Sequence, residues 1–193
     1  KATDNISAVD DYLKCMEILG PVADYLVINI SSPNTVKLRE LSSGKFLSSM
    51  LSQILSFRKN IKNRKNEFLP ILIKLSPDES DKQLRETVST CLNAPVDGLI
   101  LTNTTMTRYP SLTSTHNKEK GGLSGMPLAA LSISRLRAVI DHFGCNTPII
   151  SVGGIMSDLA AKQRLDMGAS LVQIYSGLIY SGPRLVKSIL ATC

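Results

Sequence analysis

The sequence has no tryptophan, only 5% aromatic residues, two histidines and four cysteines in 193 positions. Each shortage narrows the range of functions. Cys15, Cys91, Cys145 and Cys193 are scattered, with no C-x-x-C pair and no histidine at ligand spacing, which argues against a metal site or a disulfide framework. They read as reduced thiols, two of them on helices. His116 and His142 stand without a partner and are given no chemical role. No apolar run approaches the ~20 residues that cross a bilayer. The start resembles neither a signal nor a transit peptide and reads as the middle of a protein. No low-complexity segment or linker divides the chain, so residues 1–193 are expected to form a single domain.

Charge is only mildly unbalanced, 22 basic against 16 acidic residues for a net +6. Part of the excess lies in Arg58-Lys59-Asn60-Ile61-Lys62-Asn63-Arg64-Lys65. A nucleic-acid or anionic-membrane patch is one reading of this run, but no aromatic residue is interleaved for base stacking. A solvated helix end plus loop is the simpler expectation, and no nucleic-acid partner is expected. Asn5-Ile6-Ser7, Asn29-Ile30-Ser31 and Asn103-Thr104-Thr105 fit the glycosylation pattern, yet two of them close predicted strands, so they read as chance matches.

What the chain does have is 43% hydrophobic residues, enough for one core, arranged in alternating periods. Helical spacing predicts a helix over 8–19, stopped by Gly20-Pro21, and a second over 46–57. Ser80 with Gln83 forms a capping box opening a helix over 81–93. Further helices are predicted over 128–143, over 157–167 with Gly168 as the stop, and from Pro183 onward. Short apolar runs predict strands over 24–30, 71–75, 98–102, 149–152 and 171–174, the first of them buried on both faces. Strand and helix alternate five times, with crossovers long enough to return each strand parallel to the last. This is an α/β pattern, and such sheets carry their chemistry at the carboxyl ends of the strands. The polar stretch from 103 to Gly125 is too long for a simple connection and reads as a lid or binding loop.

Several strand ends carry unusual residues. The first runs into Asn29-Ile30-Ser31-Ser32-Pro33-Asn34, a cluster of amides and hydroxyls halted by proline. A Ser-Pro turn closing a strand is the plain alternative. Lys74 lies inside an otherwise apolar strand, where an ammonium is expensive without an anion. Snorkelling or a carboxylate partner are the structural alternatives. Asn103 and Thr104 follow the third strand, Gly153-Gly154 the fourth and Tyr175-Ser176 the fifth. Asparagine is an ordinary turn residue, but one amide offers both donors and an acceptor, so several together favour a polar ring ligand.

Six stretches, in order, resemble the dihydroorotate dehydrogenases, in particular the quinone-linked, serine-base class 2. They are the hexapeptide after the first strand, Ile73-Lys74-Leu75-Ser76-Pro77-Asp78, Leu101-Thr102-Asn103-Thr104-Thr105, Gly121-Gly122-Leu123-Ser124-Gly125, Val152-Gly153-Gly154-Ile155 and Gly168-Ala169-Ser170-Leu171-Val172-Gln173-Ile174-Tyr175-Ser176. The resemblance implies an eight-stranded β/α (TIM) barrel, of which this chain supplies strands four to eight. It also implies FMN as cofactor, no metal, oxidation of dihydroorotate to orotate in pyrimidine synthesis, and a quinone as acceptor.

By the same resemblance Ser32 is the catalytic base, Thr35 starts its proton relay, and Lys74 places a positive charge at the flavin. Asn29, Asn34, Asn103 and Thr104 clamp the substrate. Asn29, Lys74, Thr102, Gly125, Gly153, Gly154, Tyr175 and Ser176 hold the cofactor. The class further implies membrane association through helices ahead of residue 1, a monomer, and a place at the mitochondrial inner membrane, with a bacterial inner membrane as the alternative. Another FMN barrel, of the cysteine-base or dihydropyrimidine dehydrogenase type, and a catalytically idle half barrel are the competing readings. Serine at position 32 argues against the cysteine-base type and the full motif order against the dihydropyrimidine type, while retention of Ser32, Lys74 and both phosphate-type loops speaks for descent from an active enzyme. A five-stranded arc, however, exposes two long sheet edges.

Overall fold

A computed structural model describes residues 8–33 and 44–193. Within them lie five strands, β1 (Leu26–Asn29), β2 (Ile71–Lys74), β3 (Gly98–Leu101), β4 (Ile149–Val152) and β5 (Leu171–Gln173), in one sheet of order β1-β2-β3-β4-β5. Every pairing is parallel. Helices α1 (Ala8–Leu19), α2 (Gly44–Arg58), α3 (Asp81–Asn93), α4 (Ala129–Phe143), α5 (Asp158–Asp166), α6 (Ser176–Ser181) and α7 (Arg184–Thr192) alternate with them. Sequential order, parallel strands and a helix in each connection are the construction of a β/α barrel, and these five units are a partial one.

The two faces of the sheet separate by the period of two that strand geometry imposes. Ile28, Ile73, Leu99, Leu101 and Ile149 face the helices and join the main core with Met16, Leu47, Leu51, Ile54, Val88 and Leu136. Val27, Leu72, Ile100, Ile150 and Val152 form a smaller apolar layer on the opposite, concave face. Lys74 is two residues beyond Leu72 and pairs in register with Asn29, so the lysine and the asparagine continue that inner face at its carboxyl end. The anomalous charge is thus the first polar step above an apolar floor.

Sequence expectations and structure differ in a few elements. β1 is half-buried at Leu26, Val27 and Asn29 rather than buried on both faces, because it is an edge strand, and β5 is the edge opposite. Residues 176–181, where the sequence predicted no element, form the short helix α6. A glycine is needed there because a Cβ on residue 177 would lie 2.4 Å from the carbonyl oxygen of Ile155. The basic run is not simply solvated, since Arg58 is buried, ion-paired with Asp97 and stacked 4.4 Å over Phe68. His116 does have a partner, with Nδ1 2.6 Å from Glu119 Oε1, on an exposed turn. The expected capping box is present, Ser80 Oγ accepting from the Gln83 N–H and Gln83 Oε1 from the Ser80 N–H.

Candidate active site

The strands all end at the same rim: Asn29 pairs with Lys74, Leu101 with Ser151 and Val152 with Gln173. At that rim a cavity of about 530 Å³ opens between the loops that follow β2 to β5. Lys74, Thr102, Asn103, Thr104, Gly125, Gly153, Gly154, Tyr175 and Ser176 all line it. They span the chain from Lys74 to Ser176, and it is the parallel sheet that brings them together.

Asn29 and Ser32 do not line the cavity. Asn29 stands one layer behind it, where its Oδ1 accepts from Asn103 Nδ2 at 3.0 Å and its backbone carbonyl accepts from the Tyr12 hydroxyl, also at 3.0 Å. Ser32 is half-buried beside Pro33, whose ring lies 2.9 Å from a Cβ built on Gly122 in the cavity wall. The expectations for Asn34 and Thr35 fall outside the described residues.

Asn103 is held firmly. Its Nδ2 donates to Asn29 and, at 3.2 Å, to Ser31 Oγ, while its Oδ1 accepts from the Thr104 N–H at 2.9 Å. Ser31 Oγ in turn donates to the Lys74 carbonyl at 2.6 Å. The network ties the ends of β1, β2 and β3 into one rigid unit, and it leaves a lone pair on Asn103 Oδ1, in the cavity wall, for a ligand. Ser31, only 1% exposed, is therefore a site residue that the sequence reading passed over in favour of Ser32.

Lys74 carries the electrostatics. Burial holds its ammonium below the usual lysine pKa, and among the described residues no carboxylate pairs with it. This removes the carboxylate-paired alternative and leaves a positive charge facing a cavity that can take an anion or a polarised carbonyl.

On the far wall Ser124 Oγ and Ser176 Oγ lie 3.0 Å apart. Gly154, at φ 72°, packs so closely on Ala129 of α4 that a Cβ would come within 2.4 Å of its Cα. Behind this loop sits Arg164, 1% exposed, whose signal in the sequence was no more than an inward position three residues after Ala161. No cluster of potential metal ligands occurs among the described residues.

The fit to a flat, phosphate-bearing flavin is good. A cationic group, apolar Val152 and Ile174, glycine backbone and two hydroxyls all line the one cavity.

Comparison with known proteins gives a consistent picture. The family model described as dihydroorotate dehydrogenase matches residues 1–192. A relative from Marinomonas sp. (strain MWYL1), named dihydroorotate dehydrogenase (quinone), is 41% identical over 185 residues, covering 96% of this chain and 54% of the relative. One of the same name from Pectobacterium atrosepticum is 43% identical over 180 residues, with 93% and 54% covered. Among solved structures, DHODH from Eimeria tenella in complex with ferulenol superposes with a TM-score of 0.92 at 33% identity, over 98% of this chain and 54% of that one. The ligand-free form from Eimeria tenella gives 0.91 at 34% identity. The chain spans about half the length of the curated relatives it matches. With motif order, barrel geometry and near-complete alignment in agreement, the chain belongs to the dihydroorotate dehydrogenase family.

Proposed function

We propose that this protein takes part in the FMN-dependent oxidation of dihydroorotate to orotate, a step of pyrimidine synthesis, with a quinone as final electron acceptor. The observation that carries the reading is the convergence of Lys74, Asn103, Thr104 and the glycine loops 153–154 and 121–125 on one cavity at the carboxyl rim. The quinone-linked names of its relatives and the serine at position 32 support the choice of acceptor.

Bound FMN would supply the hydride acceptor; the remaining work falls to the chain. Ser32 takes the C5 proton of the substrate. Serine is a weak base, so it needs a proton path, for which Thr35 is the neighbouring hydroxyl, and a site closed to bulk water. The long loop that brings Thr104 and Ser124 to the cavity is the element suited to that closure. Asn29, Asn34, Asn103 and Thr104 read the carbonyls and ring N–H groups of the substrate without adding charge. Lys74 offers a fixed cation that favours electron-rich species beside it. Thr102, Gly125, Gly153, Gly154, Tyr175 and Ser176 hold the cofactor through backbone and hydroxyl groups.

The quinone class also supports membrane association of a monomeric enzyme, at the mitochondrial inner membrane in our reading. No described helix is long and apolar enough to cross a membrane. Cell fractionation tests this part.

For the chemistry, the purified protein is expected to show flavin absorption, or to gain it on titration with FMN. Ser32→Ala should then keep the flavin while its reduction by dihydroorotate slows by about 10²–10⁴-fold, the usual contribution of a positioned base. Unchanged reduction kinetics would remove Ser32 from the role, and a chain that never binds FMN would return the idle half barrel.

A further inference from the structure

Arg164 is the largest fully buried side chain among the described residues, and nothing in the reaction as described uses it. Its guanidinium faces no carboxylate among the described residues. Nη1 donates to Ser151 Oγ at 3.2 Å, and Nη2 donates to Ser132 Oγ and the Gly153 carbonyl, both at 2.9 Å, and to the Ala129 carbonyl at 3.3 Å. Nε is buried with no acceptor. Burial pushes the group down to about 10, a direction that marks an environment hostile to the charge. A buried, unneutralised cation is a poor way to stabilise a fold, since an apolar side chain of the same volume would cost less.

What it does hold is the peptide between Gly153 and Gly154. Among the described residues the one cis bond lies elsewhere, at Leu101-Thr102, so this peptide is trans. A planar trans peptide points its C=O and its N–H in opposite directions. The Gly153 carbonyl is drawn away from the cavity by two donors, Ser132 Oγ at 2.7 Å and Arg164 Nη2. The Gly154 N–H is thereby aimed the other way, into the cavity that both glycines line. The same guanidinium leaves a net positive charge one peptide unit behind that N–H, where no protein carboxylate cancels it.

We propose that Arg164 is a positioning residue for an anion: it fixes the Gly153-Gly154 peptide with its N–H toward the cavity and, from behind, biases this end of the site toward a phosphate monoester over the neutral alcohol. The proposal rests on the FMN reading above, and it explains why a cation is buried on the helix side of β4 instead of lining the pocket. An arginine lining the pocket would be screened by water; a buried one keeps its charge unscreened and also fixes the loop it holds.

The test compares FMN with riboflavin, which lacks the phosphate, by flavin-fluorescence titration of the full chain. Wild type should prefer FMN. Arg164→Met should weaken FMN by about tenfold or more, the range of a lost charge-assisted hydrogen bond, while riboflavin changes by less than about twofold. Arg164→Lys, which keeps the charge, should restore most of the preference. Equal weakening of both flavins, or no weakening of FMN, would overturn the proposal and leave Arg164 as packing. If circular dichroism shows that Arg164→Met does not fold, Arg164→Gln keeps a donor for the Gly153 carbonyl without the charge, and the same ratio decides. A wild type that binds neither flavin would instead overturn the FMN reading itself.

Discussion

At the scale of the residue, Lys74 sets function against stability. Its pKa is lowered by burial, so between the folded value and the ordinary 10.5 the unfolded chain keeps a proton that the folded chain sheds. Stability therefore rises with pH through that window and is lost as pH falls through the folded value. Lys74→Met is expected to raise the melting stability of the flavin-free chain at pH 7 by about 1 kcal/mol while weakening FMN retention, the usual trade at a charged site. A variant that melts lower and holds flavin unchanged would make Lys74 a structural residue. Tyr12 and Cys91 act in the opposite sense. Both are pushed up to about 12, by burial first, with the Asp11 charge adding at Tyr12 and the Glu79 charge at Cys91. The stability they confer is present below their ordinary values and is lost as pH rises toward 12. Lys74 and Arg164, both pushed down by burial, oppose them over much of this range, so the readout is a difference: the urea stability of Cys91→Val relative to wild type should gain up to about 1.4 kcal/mol per pH unit above pH 9, as the Cys91 contribution is lost. At this scale the strand-end residues Lys74, Thr102, Asn103 and Thr104 were legible because an amide, a hydroxyl or a charge after an apolar run is a local signal. Ser31 and Arg164 were not, because their partners Asn103, Lys74 and Gly153 lie on other elements and only the fold reveals them.

At the scale of the element, the long connection after β3 is more built than its composition suggests. Arg108 donates to the carbonyls of Thr105, Met106, Thr107, Asn117, Glu119 and Gly121, so one guanidinium organises both limbs of the loop. The base is pinned by the Thr105–Leu123 bridge and by Asp78, which accepts from the Thr105 hydroxyl and the Met106 N–H. Arg108→Ala should open the loop without unfolding the barrel. The expected readout is faster proteolysis within 105–121 with a nearly unchanged melting temperature. Because Thr104, Gly122 and Ser124 flank this loop in the cavity wall, the proposed function further predicts that KM for dihydroorotate rises by about tenfold, more than kcat falls. Unaltered cleavage would show the loop is held by Asp78 and the bridge alone. The helices with strong local signals, such as α3 with its capping box, were readable to the residue. α6 was not, because two glycines and the lack of any side-chain cap hide a six-residue helix whose position is set by packing on Ile155. β1 was placed correctly but read as too buried, since a strand cannot announce from its own residues that it is an edge.

At the scale of the whole molecule, the five-stranded arc leaves β1 and β5 as terminal strands, and the surface near β5 is apolar. Leu159, Leu171, Ile179 and Leu190, from α5, β5, α6 and α7, are each more than 60% exposed. Exposed apolar side chains of this kind beside a strand edge are a template for association. An eight-stranded barrel removes both edges, and the relatives, of which this chain spans about half, have the length for the remaining units. The 193-residue chain expressed by itself is therefore expected to self-associate at micromolar concentration, in sedimentation velocity, through this face. Leu171→Lys together with Leu190→Lys should shift it toward monomer, because charge at an edge opposes strand pairing, with little loss of stability at positions already in water. Helices α1 to α4 carry the main core and are untouched by these changes, so a monomeric double variant that still binds FMN would separate closure of the barrel from assembly of the site. A wild-type chain that sediments as a monomer would mean that the arc satisfies its own edges, and the argument from exposed β5 would fail.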